Sequence, residues 1–486
     1  MNLEFFISNG IRVALSAEPL LSQLSEEDVE AFKKKVLDRK ILYLTKDLAE
    51  EILNEIKAEK QIEGRKIVIN RAPMFKPIAK EYSSNIIIDH KRDVTGKSRT
   101  TGSVNDFVEH FRNRYKRLRA LFHHTYDSKY SEVAIEDLNT LQDQYVRLIV
   151  MVYSKSITKN GNVLLEIEDL TGRSRAIISK SNEELFLKSN EITNDDVIAI
   201  YGRVRQNFLI VEDFEFPDVP INKSRPNVEA DIAVAYISDI HFGSRFFLDK
   251  LFERFIKFLN GGLGNEKLAG KIKYLVVAGD VVDGIGIYPG QEKELTIKDV
   301  YEQYALFDRF IELIPDYIDV IVLPGNHDAV RRAEPMPAID KSLISSDVKR
   351  VGNPAFFSLE GVKHLAYHGT SLDSIIASIP KLSYEHPAKA MIYYLKKRHL
   401  SPIYGTNPIV PEKIDYLVMD IVPDVVHMGH VHKNDYSSYK GVILINSGTF
   451  QDQTTFQLKQ GHVPTPGEIP ILELKHWRLT RLNVGE

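Results

Sequence analysis

In the second half of this 486-residue chain, apolar runs rich in β-branched residues keep ending the same way, on a turn that carries aspartate, asparagine or histidine. The turns read Asp239-Ile240-His241, Gly279-Asp280-Val281-Val282-Asp283, Gly325-Asn326-His327-Asp328, Tyr367-His368-Gly369 and Gly429-His430-Val431-His432. An unbroken β-branched run is the mark of a strand buried on both faces. Buried parallel strands with helices between them form an open α/β sheet, and such sheets build their sites where the strands end. The pattern therefore dictates a layered α/β domain with one polar edge. Carboxylate, amide and imidazole groups gathered there can hold a pair of divalent cations, the arrangement that activates water against phosphorus.

The chain has no cysteine, which excludes disulfides, thiolate metal sites and cysteine nucleophiles, so any metal must be held by oxygen and nitrogen. Hydrophobic residues at 43% and charged residues at 27% suit globular cores. No stretch reaches the uninterrupted apolar length of a membrane span, and Arg12, Glu18 and Pro19 break the only apolar start. A cytoplasmic protein with no membrane contact is expected. A net charge of −4 argues against coating nucleic acid by bulk electrostatics, while leaving room for local basic patches.

Length predicts two to four domains. Residues 1–60 read as a small helical N-terminal domain, with helix starts at Ser25 and at Thr45–Asp47. A docking or dimerisation module is expected there rather than chemistry. Residues 61–103 lose periodicity and are expected to be a linker, above all the stretch from His90 to Gly102. Residues 104–142 open with a basic amphipathic helix: Phe107, Phe111, Tyr115, Leu118 and Phe122 form a stripe, flanked by Arg112, Arg114, Lys116, Arg117 and Arg119. A solvated helix face is the expected meaning of that charge run, with phosphate contact as the alternative. Residues 143–220 hold five short strands separated by turn signals such as Lys159-Asn160-Gly161-Asn162, a pattern that predicts a small barrel of the oligonucleotide-binding kind. The strands offer few aromatic residues, so a structural or partner-binding barrel is as well supported as one that binds single strands. The α/β domain is expected over 227–486.

An isolated Asp-x-His is most often a surface turn; the weight lies in five such segments in order, each after a strand. Asp280 can bridge two cations through its two oxygens, and Asn326 limits the negative charge of the site. Asp283 and Asp328 could only cap loops or orient neighbours. His364 and His427 read as ordinary residues beside the motifs, the latter directed away by strand alternation.

These blocks resemble the calcineurin-like metallophosphoesterase superfamily, with every motif position filled. The resemblance implies that Asp239, His241, Asp280 and His432 hold one metal and Asp280, Asn326, His368 and His430 the other. It also implies that His327 is the general acid, with Asp328 holding its ring. The whole chain, with the segments VAYISDIHFGS, LVVAGDVVDG, VLPGNHDAVRRAEPMPAI, VHMGHVHKNDY and NSGTFQDQTTFQ, is similar to the small subunit of archaeal family D DNA polymerase. The implied fold is multidomain: an α/β metallophosphoesterase, a layered β-sandwich flanked by helices, preceded by an oligonucleotide-binding-type barrel and the helical N-terminal domain.

The implied activity is a metal-dependent 3′ to 5′ proofreading exonuclease, a hydrolase acting inside a DNA-directed DNA polymerase. The implied partners are a large polymerising subunit, DNA with a 3′ end and a sliding clamp. Manganese is the expected ion; iron and zinc suit the same ligands. Two readings compete, a catalytically dispensable scaffold for the large subunit and a stand-alone phosphodiesterase or repair nuclease. From position beside the site, Arg331 and Arg332 are expected to meet the DNA backbone.

Overall fold

In the computed structural model, residues 4–22, 24–63, 75–122, 128–206, 208–221 and 224–485 are described. Strands Ala233–Ile237, Ile272–Ala278 and Asp319–Leu323 run parallel in one six-stranded sheet. Lys349–Arg350 extends it on one side; Glu468–Glu473 and Arg478–Asn483 extend it antiparallel on the other. The second six-stranded sheet has the order Asp435–Tyr439, Val442–Asn446, Val425–Met428, Val362–Ala366, Ala355–Leu359, Ile86–Ile88.

The sheets pack face to face. Tyr236, Tyr274, Val276 and Ile321 of the first meet Phe357, Leu359, Val425 and Ile445 of the second. Helices Asp249–Leu259 and Val300–Ile311 cover the first sheet's outer face through Phe252, Phe255, Phe307 and Phe310. Helices Leu372–Ser378 and Pro387–Lys397 cover the second's through Ile375, Met391 and Tyr394. Both faces of the central strands are thus apolar, which is why they read as continuous hydrophobic runs rather than alternating ones. The resulting helix–sheet–sheet–helix stack is the expected layered sandwich.

The barrel closes with five strands. Tyr145–Ile157, Val163–Glu168, Arg173–Ile178, Phe208–Glu215 and Val197–Arg205 pair in that order, and the last returns to the first. Its interior is apolar and mostly aliphatic, with Val146, Leu148, Leu165 and Ile200 around the single fully buried ring of Phe214 among the described residues of that core. The N-terminal unit packs helix Glu26–Asp38, capped by Ser25, against helix Lys46–Glu63 around Phe32, Val36 and Ile52.

Two expectations need correction. The supposed linker is partly outside the described residues (64–74), but from Phe75 onward it is ordered on the sandwich. Ile86–Ile88 is an edge strand paired with Ala355–Leu359. Asp93 accepts the Gly352 N–H at 2.8 Å, and Ser98 bonds Glu412. An edge strand of three residues is too short to show a period, and single side-chain ties leave none, so the segment looks structureless in sequence. The basic helix, Val104–Arg119, is a solvated face only at Arg112, Lys116 and Arg119, while Arg114 and Arg117 turn into the fold. It starts at a reciprocal Ser103–Asp106 cap and lies between barrel and sandwich. Tyr115 donates to the Ile149 carbonyl at 2.7 Å, Arg114 meets Asp415 at 2.7 Å, and Arg117 meets Asp420 at 2.7 Å. Arg114 and Asp415 are 1% and 0% exposed, so this charge is structural. Among the described residues no helix is long and apolar enough to cross a membrane.

Candidate metal centre

Strands Ala233–Ile237, Ile272–Ala278, Asp319–Leu323, Val362–Ala366 and Val425–Met428 deliver the five turns to one edge of the sandwich. The turns are held in an unusual backbone state. Asp239, His241, Asp280, His430 and His432 all have positive φ, between 49° and 70°. A non-glycine residue there is uncommon and costs about 1 kcal/mol or more, a strain that concentrates at functional sites. The turns also need glycine for close approach. A Cβ on Gly325 would lie 2.2 Å from an Asp280 oxygen, and one on Gly429 2.5 Å from Asp239 Oδ2.

The ligating atoms converge. Those of Asp239, His241 and His432 lie within 4.8 Å of one another, as do those of Asp239, Asp280 and His368. His241 Nε2 faces His432 Nε2 at 3.2 Å, and His368 Nε2 is 3.3 Å from Asp280 Oδ2 and 3.0 Å from Asn326 Oδ1. The His430 ring stands 5.2 Å from the His368 ring. Seven expected ligands are thus neighbours at one place, all but Asn326 and His430 deeply buried.

Whether divalent cations fit is decided by the far side of each imidazole. The His368 Nδ1 is 2.8 Å from the Ala278 carbonyl, which can only accept, so that nitrogen carries the proton and Nε2 is left to ligate. His432 Nδ1 accepts the Gln457 amide N–H at 2.9 Å, whereas His241 Nδ1 donates to Asp283 Oδ1 at 3.0 Å and His430 Nε2 donates to Asp373 Oδ2 at 3.1 Å. A ligating histidine almost always has its other nitrogen held this way. The donor set fits two oxygen- and nitrogen-seeking cations.

Electrostatics point the same way. Burial pushes the core imidazole of His364 down to about 4, and burial together with the neighbouring His364 pushes that of His427 to about 3. Burial acts equally on His368, but Asp280 and then Asp239 outweigh it and raise the ring to about 10. Burial would raise Asp280; His368, His327 and His241 overcome it and hold the carboxyl well below its usual range. The site therefore demands positive charge, and protons on imidazoles supply it where cations are absent.

His364 and His427 stay apart from this row. His364 bonds Tyr236 at 2.9 Å and stacks on Phe357, and His427 bonds Ser447 at 2.9 Å. His327 is at the cleft, its Nδ1 2.8 Å from the Asp283 carbonyl and its backbone N–H donating to Asp280 Oδ1 at 2.8 Å. Asp328 does not hold that ring. Its carboxylate instead accepts the Gly325 N–H at 2.8 Å and the Tyr304 hydroxyl at 3.0 Å, and burial with nearby Asp280 raises it to about 6. It braces the turn, because a side chain adjacent in sequence points back under the loop. Asp283, for which the sequence left open loop capping or the orienting of neighbours, takes the orienting role and also receives Gln451 and Gln291. Asp373 and Gln457 were missed as well; only the position of Gln457 inside the NSGTFQDQTTFQ segment signalled it. Arg331 is spent on the Pro335 carbonyl, Ser98 and Glu412, so it is not free to take a phosphate; Arg332, exposed, donates to the Gly286 carbonyl.

A two-sheet sandwich with this ligand row along one strand-end edge is a calcineurin-like phosphoesterase, and the family model of that description matches residues 232–434, which contain every ligand above. The match to known proteins reaches well upstream. The chain is 43% identical over 411 residues to the DNA polymerase II small subunit of Methanothermobacter thermautotrophicus, covering 83% of each chain. It is 41% identical to that of Archaeoglobus fulgidus, over 82% of this chain and 81% of the relative. For Methanocaldococcus jannaschii the figures are 39%, 82% and 69%. The chain belongs to this family, the small subunits of archaeal family D DNA polymerase.

Proposed function

We propose that the chain is the 3′ to 5′ exonuclease of a two-subunit replicative polymerase, removing the terminal nucleotide of a primer. A complete and mostly buried set of candidate ligands, with the second nitrogen of His241, His368 and His430 already held by an acceptor, is the observation that carries this reading. Asp239, His241, Asp280 and His432 would hold one ion; Asp280, Asn326, His368 and His430 would hold the other. When bound, such a pair supplies Lewis-acid charge to a phosphoryl oxygen and acidifies water. Manganese is the expected ion, with iron or zinc compatible with the same donors.

The protein's own groups do the rest. His327 keeps its Nδ1 proton on the Asp283 carbonyl, so the proton passed to the departing oxygen is the one that Nε2 carries when the ring is doubly protonated. Burial lowers its pKa and so disfavours that doubly protonated form, while Asp280 opposes and favours it. Asp283 fixes both His327 and His241, coupling acid and ligand. The partners in this reading are a large polymerising subunit, in keeping with the relatives' description as small subunits, together with DNA that has a free 3′ end and a sliding clamp.

The test uses the complex with the large subunit and a labelled primer with a mismatched 3′ end. Trimming is expected with manganese, and neither with chelator nor with Asp280→Ala. An Asp280→Ala or His327→Ala complex that trims as fast as the parent would overturn the reading and leave the scaffold role.

A further inference from the structure

Among the described residues that line the metal cleft, a space of about 200 Å³, none is lysine or arginine. Phosphate affinity must then come from the cations, and affinity for the nucleosides from something else. Aromatic side chains stand at two places on the rim. Tyr288 lines the cleft with its ring 6.3 Å from that of His327. Its hydroxyl donates to Glu294 at 2.9 Å, and the neighbouring Ile287 N–H is held by Gln291 at 2.9 Å, so the ring is oriented in advance. His462 lines the cleft beside His430 and Asp373; its ring lies 4.0 Å from that of Tyr384, tilted by 37°. Tyr384 hydrogen-bonds Asp373, whose carboxylate also takes His430 at 3.1 Å. His462 is half-buried, and the proposed chemistry does not use it.

We infer that these are two base shelves, one for each nucleoside that flanks the scissile phosphate. The inference rests on the exonuclease reading and adds where each base lies. Hydrolysis forms a bond from water oxygen to phosphorus and breaks the bond from phosphorus to O3′ of the penultimate nucleotide. That O3′ takes a proton and becomes the new primer end; the terminal nucleotide leaves as its 5′-monophosphate. His327, as proton donor, marks the side of the departing O3′. Tyr288 stands beside it and takes the penultimate base. The terminal base is directed to the opposite, His430 end, onto His462 backed by Tyr384. Every base has a π-face, so stacking holds any nucleotide without reading its sequence. A proofreading site requires that tolerance.

The test places 2-aminopurine, whose fluorescence falls on stacking, at the terminal or the penultimate position. The last linkage carries a methylene in place of O3′ and cannot be cleaved. With the complex and manganese, both probes are expected to be quenched. His462→Ala should restore fluorescence at the terminal position alone, and Tyr288→Ala at the penultimate position alone. On cleavable primer each should raise KM about tenfold with little change in kcat, the size expected for one lost stack. Tyr288→Phe, which loses the Glu294 bond but keeps the ring, should stay quenched, separating stacking from a purely structural role. If the parent cleaves DNA yet quenches neither probe, or if each variant relieves both positions equally, the shelves are wrong and the exonuclease stands. If the parent fails to cleave with manganese, the exonuclease reading falls and the assignment of shelves falls with it.

Discussion

Two buried clusters in this protein use the same side chains to opposite ends. Where the basic helix crosses to the sandwich, Asp415 is 0% exposed and receives Arg114 at 2.7 Å, His399 at 2.9 Å and His110 at 3.3 Å. At the metal edge, Asp280 is nearly as buried, and among the described residues its ion pairs are with His368 and His241 alone. One carboxylate has a permanent guanidinium, which neutralises it and closes the junction. The other has imidazoles that can give up their protons, a strained turn and an open cleft. A buried aspartate is a poor sign of function by itself; one whose charge is balanced only by groups that can yield to a cation is a good one.

Five changes would break or sharpen that contrast, from the largest effect down. Asp280→Ala is expected to cut hydrolysis by roughly 10³ or more, the several kcal/mol that a cation pair contributes at the transition state, while the melting temperature in chelator stays unchanged or rises. A fall of many degrees in chelator would mean that the metal edge is structural after all. Asp415→Ala should do the reverse. It strands the buried Arg114 and costs about 3–5 kcal/mol in thermal or urea unfolding, with cleavage intact below the transition. Chelation of the parent, read by calorimetry, should remove about 2–3 kcal/mol that manganese near 100 times its Kd had added, and Asp280→Ala should be insensitive to it. His327→Ala is expected to lower kcat about 10²-fold with bound manganese unchanged; loss of the metal would make His327 a ligand rather than the acid. Arg117→Ala breaks a partly exposed pair with Asp420 and should cost about 1 kcal/mol or less in the same melts.

Acid separates the core imidazoles from His368 at the metal edge. His364 is held neutral by burial, at about 4 against about 6.5 in the unfolded chain. The unfolded state therefore takes up a proton first, so stability is full above pH 6.5 and falls as pH drops toward 4. The slope is about 1.4 kcal/mol per pH unit for each such histidine. His364→Gln should flatten the slope of the unfolding free energy against pH by about that amount between these limits. An unchanged slope would show that His364 is not held neutral.

The strands and their polar ends were legible because a strand buried on both faces has no alternative sequence pattern, and because five turns of the same chemistry recur in order. Asp239, His241, Asp280, Asn326, His368, His430 and His432 could be picked out on that ground. The role of Asp328 could not. Its neighbour His327 suggested a pair, but geometry turns the carboxylate under the loop and hands the ring to Asp283, three residues past Asp280. The ordered segment after Phe75 and the burial of Arg114 were equally invisible, since each depends on partners hundreds of residues away.

The amino-acid sequence by itself determined which side chains could ligate cations and that they stand at strand ends, since periodicity and side-chain chemistry are local properties. Only the tertiary structure decided which nitrogen of each imidazole is taken by a neighbour, which aspartate holds the His327 ring and which charges are sealed away. Those depend on distances of about 3 Å between groups that the chain order keeps far apart.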